Sequence, residues 1–215
     1  MNDFLQPPPI DPLPQAPLFE RFLFEQPVLP AVVLGLLAVV AFIAFSNTGK
    51  RKVGLAVALG LALAAGAIYT IAALVVTPRE TLLERTEQFI GAAATADTAA
   101  LARILSDDAR LNSTGDLARI QPSIDAIQPI LDRVDQVVGR QFSIDRWVIA
   151  DRQATLDGPN TGRTLVRVGV DSPTFSRTHY SWWRLHWERS DDGQWRCFEI
   201  EPRWIQFAGA AAPGR

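Results

Sequence analysis

Two sets of side chains in this sequence could do chemistry. Asp145, His179 and Tyr180 are acid–base residue types placed where strands begin, and such groups move protons when a partly dry pocket shifts their pKa values. The second set lies on the strand candidates 179–189 and 194–205. By alternation, Trp182, Arg184, His186 and Glu188 share a face with Trp195, Cys197, Glu199 and Glu201, and Arg167 joins them from residues 164–170. With the loop 190–193 setting the register, Arg184 stands opposite Glu199. The chemistry of that face is recognition, because Trp and Arg are the usual anchors of protein interfaces. The competing reading is a solvated sheet laced with cross-strand ion pairs, each worth roughly 0.2–1 kcal/mol.

Composition narrows the field. The chain has 215 residues and a formal net charge of -2, without the basic stripe of a nucleic-acid binder. Cys197 is the sole cysteine and His179 and His186 are the two histidines, so no intrachain disulfide and no Cys-based zinc site is expected. No metal and no cofactor is called for.

Two charge-free apolar stretches, 28–45 and 53–76, must position everything that follows. Each is long enough to cross a hydrocarbon core of about 30 Å as a helix. The segment between them, 46–52, carries Lys50, Arg51 and Lys52, which predicts that this loop is cytoplasmic and that both termini are extracytoplasmic, in the periplasm if the cell is Gram-negative. No short apolar run with a basic start opens the chain, so a retained anchor is expected rather than a cleaved signal peptide. In the second span Ala56, Gly60 and Ala64 recur at four-residue spacing, and so do Ala58, Ala62 and Gly66, rows that let helices approach closely, against Gly35 and Ala38 or against another subunit.

The expected organisation is a Pro-rich flexible segment (1–26), two membrane helices within 27–77, an α+β domain (79–207) and a frayed tail (208–215). Residues 1–17 hold Pro7, Pro8, Pro9, Pro12, Pro14 and Pro17, which favours extended polyproline chain: a flexible tail, or a docking peptide for a partner groove. Residues 18–24 (LFERFLF) read as a short interfacial turn. Helices are expected from Arg79 to about Ala93, from an Asp97 N-cap through Leu105, and over 122–138, where Pro129 should kink or divide the helix. Strands are expected at 142–156, 164–170, 179–189 and 194–205. Helices first and antiparallel strands afterwards make an α+β domain.

The stretch Thr95-Ala96-Asp97-Thr98-Ala99-Ala100-Leu101-Ala102-Arg103-Ile104-Leu105-Ser106-Asp107-Asp108-Ala109 resembles a motif of the nuclear transport factor two-like superfamily, which includes SnoaL-like proteins, with Ala96 where a glycine is usual. The resemblance implies a cone: about three helices packed on a curved antiparallel sheet. It implies no single function, since that superfamily holds isomerases, cyclases, hydrolases and non-catalytic binding modules. Its catalytic members place acids and bases inside the cone. Here Trp183, Leu185, Trp187, Phe198, Ile200, Val166, Val168 and Val170 are expected to point inward beside Ser181 and Arg196. The expected protein is therefore a membrane-anchored, non-catalytic binding or scaffold protein that meets protein partners or a second copy of itself. The alternative is a membrane-tethered SnoaL-like enzyme acting on a small apolar molecule in the cone, with Asp145, His179 or Tyr180 in its site.

Overall fold

The structure, a computed structural model, describes residues 10–14, 28–115, 117–120, 122–173 and 177–206. The expected interfacial turn at 18–24 and the tail at 208–215 lie outside the described residues. The chain divides into two units: Gln15–Thr77, and Met1–Pro14 with Pro78–Arg215.

The first unit contains helices α1 (Val28–Asn47) and α2 (Arg51–Leu74), both long and apolar enough to cross a membrane. Their large side chains face outward, with Leu36 at 63% and Leu63 at 67% exposure. The pair thus presents a continuous apolar surface far larger than a water-facing monomer usually carries. Gly49, at φ +74°, makes the reversal between them. The helices meet at Gly54, where an added Cβ would lie 2.8 Å from Cβ of Phe45. Of the second small-residue row Ala58 is partly covered, and Ala38 of α1 is buried, at 7% exposure, while the row Ala56, Gly60 and Ala64 does not pack within the pair. Ala56, Gly60 and Ala64 are exposed, and no atom lies within 4 Å of a Cβ built on Gly60. The more covered positions on α2 are Gly54, Ala58, Leu61, Ala65 and Ile68, because the helix phase is set by the closest backbone approach.

In the second unit α3 (Pro78–Ala94) starts at Pro78, whose missing N–H costs nothing in a first turn. It ends on two reverse bonds, Asp97 N–H to the Ala92 carbonyl at 2.9 Å and Ala96 N–H to the Ala93 carbonyl at 3.2 Å. Ala96 sits at φ +53°, the left-handed position that glycine fills most easily in such a cap. Asp97 then caps α4 (Thr98–Ile104), its Oδ1 accepting from Ala100 N–H at 2.9 Å.

The chain passes directly from α4 into β1 (Leu105–Leu111), a strand that was not among the four expected. After α5 (Leu117–Ile120), helix α6 (Ile127–Val134) runs into a π-helical turn, Asp135–Gln141. The expected helix over 122–138 thus begins at Ile127. Pro129 neither kinks nor divides it, because it occupies the first turn, where its N–H would have had no partner.

Strands β2 (Arg146–Leu156), β3 (Thr161–Asp171), β4 (His179–Arg189) and β5 (Trp195–Ile205) form the expected antiparallel succession, and β1 adds in parallel beside β5, giving the order β1-β5-β4-β3-β2. Bulges in β2 and β5 interrupt the ladders, bending the sheet where it wraps the helices. The core lies between the helices and one sheet face: Leu82, Phe89, Ile90, Leu101, Ile104 and Leu105 meet Val166, Val168, Leu185, Trp187, Cys197 and Ile200. One polar relay crosses it. Trp187 Nε1 donates to Thr164 Oγ1 at 2.9 Å, the Thr164 and Thr86 hydroxyls lie 2.9 Å apart, and Thr86 Oγ1 reaches the Leu82 carbonyl at 2.8 Å.

The N-terminal segment was expected to pack on nothing if it is a flexible tail. Its described part does pack: Leu13 is 5% exposed and its N–H donates to Gln153 Oε1 at 3.1 Å.

Candidate functional site

The face of the sheet turned away from the helices gathers most of the polar residues singled out in the sequence. Arg167, Trp182 and Trp204 stand abreast on β3, β4 and β5. One position along, Leu165, Arg184 and Glu201 do the same, and next Arg163, His186 and Glu199. Glu201 is the hub: Arg184 reaches it at 3.5 Å and His186 at 3.8 Å, and Arg203 binds its other oxygen. Glu199 is held by Arg110 at 3.0 Å and Asn112 at 2.9 Å, both carried by the β1 edge. Glu188 accepts from Ser106 at 3.1 Å.

The register differs from the expected one, and the reason is physical. Ser190 N–H bonds to the Gln194 carbonyl at 2.9 Å, so Gln194 belongs to the turn and Arg189 stands opposite Trp195. A one-residue shift sends alternate side chains to the other face. Trp195 and Cys197 therefore enter the core, at 5% and 0% exposure, and Arg196 faces outward beside Asp192 at 2.8 Å. The expectation that Trp195 anchors a partner is corrected accordingly. Phe198 then forms a bulge, and beyond it Arg184 faces Glu201 while His186 faces Glu199. Trp204, Arg203 and Arg110 complete the face and were missed. Trp204 reaches this face through a second bulge, at Arg203, so alternation along β5 would have placed it on the helix-facing side.

Electrostatics on this face are mixed. Burial holds the His186 imidazole below its ordinary pKa, against the pull of Glu199 and Glu201. Burial works against the Glu199 carboxylate too, but hydrogen bonds from Asn112 and Arg110 win and keep it below the usual range. Arg167 lies 4.3 Å above the Tyr180 ring. Four buried donors, Arg167 Nε, Trp182 Nε1, Arg184 Nε and Arg203 Nε, have no acceptor among the described residues. Desolvated donors without acceptors are costly, which makes this the surface with most to gain from an outside acceptor.

The proton-transfer candidates are not brought together on one wall. Asp145 is exposed in the segment before β2, its backbone N–H bonded to the Asp171 carbonyl at 2.9 Å. His179 pairs with Val170, itself opposite Trp147, and so stands on the helix-facing side. Burial, with Arg177 adding to it, lowers its pKa. Tyr180 is on the opposite side, under Arg167. An open cleft of about 630 Å³ lies between α3 and the β2 bulge, lined by Trp147, Ile149, Asp151 and the Glu87–Arg152 ion pair at 3.0 Å. Among the described residues no three His, Cys, Asp or Glu side chains come together as a metal site. The buried polar residues among them are Thr86, Ser106, Ser113, Thr155, Thr164 and Ser172, none an acid or a base, while the buried Cys197 thiol is pushed far up by desolvation.

No protein-family model and no curated protein matches the sequence. Solved structures similar to the chain include an NTF2-like protein from Cytophaga hutchinsonii, with 12% identity over 59% of this chain and 98% of that one and a TM-score of 0.48. An NTF2-like protein from Rhodospirillum rubrum is similar at 15% identity over 56% of this chain and 95% of that one, with a TM-score of 0.46. A hexachlorocyclohexane dehydrochlorinase from Novosphingobium barchaimii is similar at 14% identity over 59% of this chain and 87% of that one, with a TM-score of 0.47.

Proposed function

We propose that this is a membrane-anchored, non-catalytic binding or scaffold protein whose α+β domain takes a protein partner, or a second copy of the chain, on the outer face of its sheet. The observation that carries the reading is the group of four buried donors around Trp182 that lack acceptors. A partner's carbonyls or carboxylates would supply them, with Trp182 and Trp204 as aromatic anchors. The absence of any buried acid or base among the described residues favours binding over catalysis. Anchoring rests on the outward apolar surfaces of α1 and α2. Lys50, Arg51 and Lys52 between them favour a cytoplasmic loop and an extracytoplasmic domain, periplasmic in a Gram-negative cell.

The test is purification of the full-length protein from its native membrane in mild detergent, after crosslinking, with mass spectrometry of what accompanies it. A stoichiometric partner, or a homodimer crosslinked through this face, is expected, weakened at least tenfold by Trp182→Ala or Arg184→Ala. Recovery of the chain alone, or a partner indifferent to both substitutions, overturns the reading. The alternative, a SnoaL-like isomerase, cyclase or hydrolase working on a small apolar molecule, draws on His179, which faces the helices and keeps its neutral form. It requires that His179→Ala change ligand binding in the cone without changing stability.

A further inference from the structure

Strand β3 is buried on both sides. Thr164 and Val166, each at 0% exposure, face the helices, whereas Leu165, at 1%, points to the outer face with Thr155, at 3%. Helices cover the first side. On the second, Gln153 is the direct cross-strand neighbour of Leu165, and Gln153 Oε1 accepts the Leu13 N–H at 3.1 Å. Leu13 is buried while Asp11, Pro12 and Pro14 around it are exposed. One side chain therefore holds the segment. Because proline lacks an N–H, Leu13 owns the single backbone donor of the Pro-Leu-Pro triplet, and that donor is the one Gln153 takes.

We infer that the outer face around Gln153, Thr155 and Leu165 is a peptide-binding site for an extended proline-flanked leucine, filled in cis by residues 10–14 of the same chain. Prolines on both sides pre-set the extended form, so little conformational freedom is lost on docking. They also prevent the segment from adding to the sheet as a strand, which leaves leucine insertion and one hydrogen bond as its mode of recognition. The docking has a topological consequence. With α1 and α2 crossing the bilayer, two crossings return the chain to its starting side, so residues 10–14 and the domain share one compartment. The site goes beyond the proposed scaffold role and stands independently of any partner at Trp182.

The experiment uses the full-length protein in its native membrane. Asp11, exposed beside the docked leucine, is replaced there by the photo-crosslinking residue p-benzoylphenylalanine, so that Leu13 and Gln153 both stay wild type. After irradiation, mass spectrometry is expected to find the crosslink on β2 or β3 of the same chain. No crosslink to those strands, or crosslinks only between chains, overturns docking in cis. Separately, a fluorescent peptide of residues 7–17 is titrated onto detergent-solubilised wild type and Leu13→Asp. Saturable binding to Leu13→Asp, at least tenfold weaker to wild type, is expected, because a tethered ligand outcompetes a free one. Equal binding to both, or none to a Leu13→Asp protein with wild-type circular dichroism, shows that no separable site exists. The crosslink is read in a chain whose other residues are wild type, so it decides docking even where Leu13→Asp fails to fold.

Discussion

Cys197 stands directly across the β4–β5 ladder from Trp187, and neither side chain is exposed at all. The pairing places the only thiol of the chain inside the core rather than on the recognition face. Desolvation drives its pKa well above the usual thiol range, so the thiolate is scarce at every physiological pH.

Cys197 is accordingly expected to resist maleimide or disulfide reagents at pH 8 in the folded protein and to react at once in denaturant. Labelling followed by mass spectrometry decides it. Cys197→Ser should cost about 1–3 kcal/mol, because a hydroxyl is less at home there than a thiol.

Ala96 holds a left-handed φ of +53° at the end of α3. Ala96→Gly removes the Cβ penalty at the cost of some added freedom in the unfolded chain, and the net gain should be about 0.5–1 kcal/mol. A higher denaturant midpoint with an unchanged slope is the expected result.

Thr164 ties Trp187 to Thr86 inside the core. Thr164→Val keeps the shape but strips the indole N–H of its acceptor, and should cost about 1–3 kcal/mol. Serine at this position keeps the hydroxyl and should recover much of the loss, which separates the hydrogen bond from the packing. Thermal melts of the two variants side by side make the comparison.

Gly162 lies opposite Trp187 and beneath α3: an added Cβ would stand 2.6 Å from Leu82 Cδ1 and 2.9 Å from the Thr155 carbonyl. Gly162→Ala must displace backbone, and a loss of about 1–3 kcal/mol is expected in a denaturant titration.

The His186 imidazole titrates near 6.5 when unfolded and lower when folded, burial being the main cause. Below about pH 7 the unfolded state therefore binds more protons, so stability falls as the pH drops through 6.5 and the loss levels off below the folded pKa. Glu199 shifts in the same direction, so it too loses stability on acidification, but in a lower pH window. Its contribution is present above its unfolded pKa of 4.5 and is lost as the pH falls through its lowered folded value. Melting midpoints from pH 8 to pH 5.5 should decline in wild type and decline less in His186→Gln.

Much of this fold was legible locally. The apolar lengths of α1 and α2, the Asp97 cap and the order of helices before strands follow from short-range rules: periodicity, capping chemistry and the turn propensity of Ser-Asp-Asp-Gly. The recognition face was legible in part. Trp182, Arg184, His186 and Glu188 do alternate outward with Arg167, but Trp195 was assigned to the wrong side because the turn takes in Gln194.

Three features were decided only in three dimensions. Residues 105–111 became a strand because β5, far along the chain, offered them an edge to pair with in parallel. The β4–β5 register followed from which aromatic side chains the helices could bury, and a bulge at Phe198 reconciled that with the outward ion pairs. Leu13 found its seat on β2–β3, which no local pattern could announce. The sequence by itself determined which segments are apolar, helical or extended, because those preferences arise within a few residues. Tertiary structure decided which faces meet and which donors are left without acceptors, because burial is a property of neighbours distant in the chain.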